Sequence, residues 1–206
     1  MPLVDPLSAV TAALQKAKVI PDIIPADPPF APEALLSLRW PTGVEAQLGN
    51  TLTKDDTTDT PTVQFTPMQA PVGAADDVSY TLVMVDPDAP SREDRKWGPF
   101  RHWVVSGVKA PAISALAATG NMSASFTHAE ACPYMPPTPP PGSGPHRYIV
   151  LLYQDPHSNF NVPLDAQERK TETEDRMHWK AADFAKTHNL KLVAANFFYV
   201  HGPAQE

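Results

Sequence analysis

The sequence predicts a mainly β domain, β-rich α+β in class, and three observations carry that expectation. Three segments, residues 78–86, 102–108 and 146–154, are apolar on both alternating faces, as strands covered on both sides must be. The 25 prolines among 206 residues cluster in 21–41, 61–71, 87–99 and 133–145. They therefore punctuate loops between short strands instead of filling one disordered tract. Helical periodicity is confined to 5–20 and 177–188. The length suits one core-bearing domain over 26–206, preceded by an N-terminal helix or arm over 1–25.

Each element has its own reason. Asp5 is placed to cap a helix over 5–20, with Pro6 as its first residue. Leu7, Val10, Leu14 and Ala17 recur on one face, and Pro21 and Pro25 end the run. The stripe fits a helix packed on the domain, or a detachable arm that meets a partner. Residues 35–40 and 43–50 read as early strands, 51–60 (TLTKDDTTDT) as a polar surface loop, and 62–67 as a further strand. Residues 72–77 read as a loop. In 78–86, Val78, Tyr80, Leu82 and Met84 share one face, and Val83 and Val85 the other. Residues 112–131 read as a loop with at most a short helix. The charged stretch 165–176 is expected at the surface. Met177, Ala181, Phe184 and Ala185 fall on one face of a helix that His188–Asn189 can end, because Asn tolerates the left-handed conformation. Residues 190–200 read as the last strand.

Composition excludes several functions. The formal net charge is −7 with no basic stripe. That argues against a nucleic-acid partner and against general attraction to an anionic membrane. Cys132 is the single cysteine, so no intramolecular disulfide forms, in keeping with a reducing compartment. No apolar run reaches transmembrane length, and no secretory signal pattern opens the chain. The expected location is the cytoplasm, with a vacuole-like compartment or the membrane periphery left open.

The chemistry gathers at strand ends. Asp86 ends one buried strand, and His102 and His146 open two others. Tyr148 shares a face with His146, while Arg147 points to the opposite one. The loop PPPGSGPH before His146 is stiffened by proline, with Gly142 and Gly144 where backbone must turn or approach closely. Its exposed N–H groups suggest an anion rim. A buried Asp86 needs a partner, and an imidazole would serve, leaving its other nitrogen for a phosphate or carboxylate oxygen. Anion affinity should then fall as pH rises above about 7. Each residue also has a plain structural reading: Asp86 as a turn-former, the histidines as satisfied strand residues, and Met135 as packing. Ser143 lacks a G-x-S-x-G setting, and two His with one Asp lack the usual zinc spacing. No cofactor is expected.

DPDAPSR at 86–92, FRHWVV at 100–105 and GSGPHRYIVLLYQ at 142–154 resemble the phosphatidylethanolamine-binding protein family, which includes the Raf kinase inhibitor protein. GNTLT at 49–53 and NFFYV at 196–200 add to the likeness. The resemblance implies a large antiparallel sheet, a smaller sheet and peripheral helices. It implies a non-catalytic pocket for phosphate or a phospholipid head group, built from Asp86, His102, His146 and Tyr148. Pro87, Asp88, Phe100, Tyr134, Pro140, Gly144 and Pro145 would rim it. Phe100 stands where many members carry Trp, and the short stretch after residue 200 implies a more open pocket. KWGPF at 96–100 and NLKLVAANFFYV at 189–200 are similar to the fungal branch, in which an N-terminal segment is implied to block a carboxypeptidase Y-type serine protease. The alternatives are a lipid-binding modulator of a signalling kinase, and a hydrolase or metal enzyme using the same pocket.

Overall fold

The computed structural model describes residues 5–68, 78–111 and 123–204. Among the described residues, eight strands form two sheets. They are β1 (Ala34–Arg39), β2 (Thr51–Leu52), β3 (Thr62–Pro67), β4 (Tyr80–Asp86), β5 (Phe100–Lys109), β6 (Ser125–Phe126), β7 (Pro145–Gln154) and β8 (Lys191–His201). The large sheet has the order β2-β8-β7-β4-β5-β6, and β1 pairs with β3 in the small one. Every pairing is antiparallel except β2 with β8, which is parallel. The large sheet is therefore mixed at one edge.

The three doubly apolar segments are β4, β5 and β7, at the centre of the large sheet. All seven residues of β4 are buried. One core layer joins Leu82, Met84, Trp103 and Phe198 to Leu38, Trp40 and Phe65 from the small-sheet side. The other joins Val83, Val85, Ile149 and Leu151 to Val10, Leu14, Trp179 and Phe184 from the helices. Covering on both faces is the physical reason these strands do not alternate in polarity.

The first helix, α1, spans Pro6–Lys16, with the Asp5 side chain accepting from the Leu7 amide at 3.1 Å. Val10 and Leu14 are buried, so α1 is docked, not detached. It ends at Lys16 with Ala17 as its cap, short of the expected Pro21, and Lys18, at φ 57°, turns the chain into the short segment α2 (Val19–Asp22). Residues 43–50 do not form the expected strand. Only an isolated antiparallel bridge, Glu45 with Arg39, pairs them to β1; beyond that bridge Asn196, buried in β8, takes the Leu48 amide and gives its own amide protons to the Leu36 and Ala46 carbonyls, so a side chain stands in for further pairing. Gly49 closes this segment at φ 102°, against the Phe197 ring. The expected loop 51–60 contains β2 and a short 3₁₀ turn at Asp55–Thr57. Residues 72–77 and 112–122 lie outside the described residues, and β6 occupies part of the remaining 123–131.

The charged stretch 165–176 is not wholly at the surface. Glu168 and Arg176 are buried, in a 3₁₀ turn (Gln167–Arg169) and in α3 (Thr173–Arg176). The next helix, α4, covers only Ala181–Thr187 and leaves Met177 outside it. It ends at His188, and Asn189 adopts the left-handed conformation at φ 55°. Among the described residues, no helix is long and apolar enough to cross a membrane.

Candidate functional site

Strand pairing brings the predicted residues together. On β7, His146 and Tyr148 lie two apart, facing Val200 and Phe198 of β8 across the ladder. Asp86 ends β4 beside β7. On β5 the register slips: Met84 pairs with Trp103, but Val85 pairs with Arg101. His102 is the extra residue of this bulge, and a bulge re-aims the side chain it carries. Arg176 fixes it from behind, its Nη1 donating to the Arg101 and His102 carbonyls at 3.2 and 3.3 Å. The charged-stretch reading hid this arginine, and no local sequence signal marks it.

His146 Nδ1 lies 2.7 Å from Asp86 Oδ2, with both residues buried. The other oxygen of Asp86 accepts from the Asp88 amide at 2.7 Å. His146 Nε2 lies 3.0 Å from Ser143 Oγ, so the second imidazole nitrogen already has a partner. His102 Nδ1 lies 2.8 Å from the Met135 carbonyl. A carbonyl only accepts, so Nδ1 carries the proton and Nε2 is left for an incoming group. Burial pulls the His102 pKa below the usual histidine value, although Asp86 and the Met135 carbonyl oppose it. This ring therefore takes up a proton less readily than a free imidazole. Tyr148 packs edge-on to His102 at 5.1 Å. Burial, then the Asp86 charge, hold its hydroxyl proton well beyond the ordinary tyrosine range.

These four residues line a cavity of about 290 Å³. Phe100 and Pro140 line it too, as expected for the rim. Pro139, in the 139–145 loop that the resemblance placed at the rim, lines it as well, and the sequence reading missed Ala89, Pro90, Trp97, Met135, Thr138, Thr173 and Met177. Neither Lys nor Arg is among its lining residues. A larger groove of about 660 Å³ lies beside α4. Its buried polar pair is already closed on itself, Trp179 Nε1 donating to Glu168 at 2.7 Å, whereas the smaller cavity gathers a carboxylate, two imidazoles and a phenol, so the smaller cavity is the better candidate site.

The remaining rim residues do not line the cavity. Pro87 packs its backbone against Gly98, where a Cβ would collide with the Pro87 carbonyl. Its peptide bond with Asp86 is trans, whereas Ala89–Pro90 and Gly98–Pro99 are cis. Tyr134 turns into the core, where its hydroxyl donates to the Thr57 carbonyl at 2.7 Å and accepts from Trp40 Nε1. Gly144 and Pro145 are bound instead to the end of the chain: the Gly202 amide donates to the Gly144 carbonyl, and Pro145 opens the β7–β8 ladder opposite His201. The expected anion rim of free N–H groups is also reduced, because the Gly142 and Ser143 amides donate to the Pro203 and Pro140 carbonyls.

Asp88 faces away from the cavity and is wholly buried. It receives Arg147 through two parallel bonds, Nη2 to Oδ1 at 2.7 Å and Nε to Oδ2 at 2.8 Å. Burial alone would raise the Asp88 pKa, but Arg147 outweighs it and holds the carboxyl below its usual value. Among the described residues, no group of three His, Cys, Asp or Glu side chains is arranged to hold a metal ion.

The family model for phosphatidylethanolamine-binding protein matches residues 42–198. The carboxypeptidase Y inhibitor of Saccharomyces cerevisiae is 35% identical over 221 aligned residues, which cover 95% of this chain and 96% of that protein. A 26 kDa secreted antigen of Toxocara canis is 31% identical, over 86% of this chain and 60% of the antigen. The crystal structure of carboxypeptidase Y inhibitor complexed with its cognate proteinase superimposes with a TM-score of 0.74 at 34% identity, covering 97% and 98% of the two chains. A phosphatidylethanolamine-binding protein from Plasmodium vivax has the same fold, with a TM-score of 0.72 at 24% identity over 93% and 97%.

Proposed function

The chain belongs to the phosphatidylethanolamine-binding protein family, and on that premise we propose that it is a non-enzymatic inhibitor of a serine carboxypeptidase. We further propose that it holds a phosphate-type group, free or on a lipid, between His102, His146 and Tyr148. The observation that carries the inhibitory reading is the 35% identity to a carboxypeptidase Y inhibitor along nearly the whole of both chains. The likeness to an inhibitor bound to its proteinase supports it. Because α1 is packed into the core, the protease-facing element in this reading is the segment before Asp5, not the whole helix.

The pocket chemistry favours binding over turnover. Asp86, His146 and Ser143 form a hydrogen-bonded row, but Ser143 also donates to the Pro140 carbonyl at 2.7 Å, which commits its proton. It does not line the cavity either. Cys132 is fully buried. A pocket holding one carboxylate and no Lys or Arg depends on imidazole protonation for its affinity toward anions.

The test has two readings on one set of proteins. The full chain should inhibit a carboxypeptidase Y-type protease tightly, and His146→Ala should keep that inhibition while losing sulfate binding. Equal sulfate binding by His146→Ala and the unmutated chain would exclude the pocket. Hydrolysis of a generic ester by the full chain, lost in His146→Ala, would exclude the non-enzymatic reading.

A further inference from the structure

Arg147 sits between two pocket residues in sequence, yet its side chain lies on the opposite face of β7 and is completely buried. Its donors reach three separate parts of the chain. Nε and Nη2 hold Asp88, and Nη2 also lies 2.9 Å from Asp22 in α2. Nη1 donates to the carbonyls of Ala17 and Lys18, each at 3.0 Å. Ala17 is the residue that closes α1, and Lys18 turns the chain away from it. The end of a helix leaves carbonyls with no partner inside the helix, and it favours a cation. Arg147 meets both needs. Arg95, from the loop after β4, adds a second contact to Asp22 at 2.9 Å and to Asp88 at 3.3 Å.

We propose that Arg147 is a positioning residue for protease inhibition: it clamps the C-terminal end of α1 to the pocket strand and so fixes the direction of the helix axis and the place at which its first residues, from Asp5, are presented to the protease. This rests on the inhibitory reading above. The apolar stripe alone does not set that direction. Val10 and Leu14 resist lifting of the helix, but apolar contact is non-directional and permits rocking. From Asp5 to Ala17 the helix axis runs about 18 Å, so a tilt of about 10° moves the protease-facing tip by about 3 Å. Errors of that size undo a contact that depends on orientation.

Arg147→Lys separates positioning from folding. Lysine keeps a positive charge beside Asp88, so no carboxylate is left buried alone. A single ammonium cannot serve two carbonyls and two carboxylates at once, as the planar guanidinium does. Asp22→Asn loosens the same clamp from the helix side. Three quantities are read for each variant and for the unmutated chain: inhibition of a carboxypeptidase Y-type protease, amide hydrogen exchange along α1, and sulfate affinity. We expect inhibition to weaken by about tenfold and exchange in α1 to quicken by a similar factor, as loss of charge-assisted hydrogen bonds predicts. Sulfate affinity should stay within about twofold, because the pocket face of β7 is unchanged. Unaltered inhibition by Arg147→Lys overturns the proposal, as does a parallel fall in inhibition, sulfate binding and global stability. An unmutated chain that does not inhibit at all overturns the inhibitory reading itself, and that outcome is recognised before any variant is compared.

Discussion

The Asp88 amide donates to Oδ1 of Asp86 at 2.7 Å. The two carboxylates that hold His146 and Arg147, neighbours on β7 that face opposite ways, are thus joined through one turn of chain. Asp86 serves the cavity and Asp88 serves the helix side. A change on either carboxylate therefore acts next to the support of the other.

The Asp88–Arg147 pair should show the asymmetry of buried ion pairs. Asp88→Ala leaves a buried guanidinium short of its main partner and should cost about 3–5 kcal/mol in urea unfolding. The double change Asp88→Leu with Arg147→Met should recover much of that loss, because no charge remains buried. A double variant as unstable as the single one would contradict this account.

Acid should weaken the same pair. Asp88 has a folded pKa below its ordinary 3.8, so its stabilisation is present above that value and is lost as pH falls through the lower one. Asp22, held by Arg147 and Arg95 against its partial burial, shifts the same way. Exchange protection of α1 should therefore decline below about pH 4 ahead of protection in β4 and β7.

Asp155 should act in the opposite sense. Burial raises its pKa to about 6, although the Thr81 and Ser79 hydroxyls oppose the shift. Between pH 3.8 and 6 the unfolded chain ionises this group and the folded chain does not, so stability falls as pH rises. The whole effect is on the order of 3 kcal/mol. Asp155→Asn should remove that slope in denaturation measured from pH 4 to 7, and an unchanged slope would refute the assignment.

Sulfate affinity should rise as pH falls, since its own charge is fixed while His102 gains a proton. That proton is taken up below the usual histidine value of 6.5, because burial depresses the ring's pKa, with Asp86 opposing and Arg176 and His146 reinforcing. His102→Gln should flatten the corresponding part of the profile in a calorimetric titration. Constant sulfate affinity in the unmutated chain from about pH 5 to 8 would contradict a protonated-histidine mechanism.

Gly98→Ala should disturb the loop beside the site. A Cβ there would run into the Pro87 carbonyl, a backbone atom that cannot swing aside. The expected result is a loss of about 1–3 kcal/mol together with weaker sulfate binding, measured on one preparation.

Much of this was legible in the sequence, for definite reasons. Strands buried on both faces announce themselves as continuous apolar runs, so β4, β5 and β7 were readable, and with them the convergence of Asp86, His102, His146 and Tyr148. The two-residue period also put Arg147 opposite His146. Long-range pairing was not legible. Asn196 takes over the backbone of 46–48 from a position some 150 residues away. Arg176 is buried under a bulge, yet in sequence it is one more charge in a charged run. The resemblance implied that Asp88 is a rim residue, and only its contact with Arg147, which no local pattern marks, draws it inward. Lining residues such as Thr173 and Met177 come from α3 and its end, which have no local mark of the pocket.

The most direct test of the central claim compares two chains against a carboxypeptidase Y-type protease: the full chain, and one lacking residues 1–4. The shorter chain keeps Asp5 as the cap of α1 and keeps the Arg147 clamp, so it should fold and bind sulfate as the full chain does. The account predicts tight inhibition by the full chain and its loss on removal of the four residues. Equal inhibition by both chains would contradict the claim that the segment before α1 meets the protease.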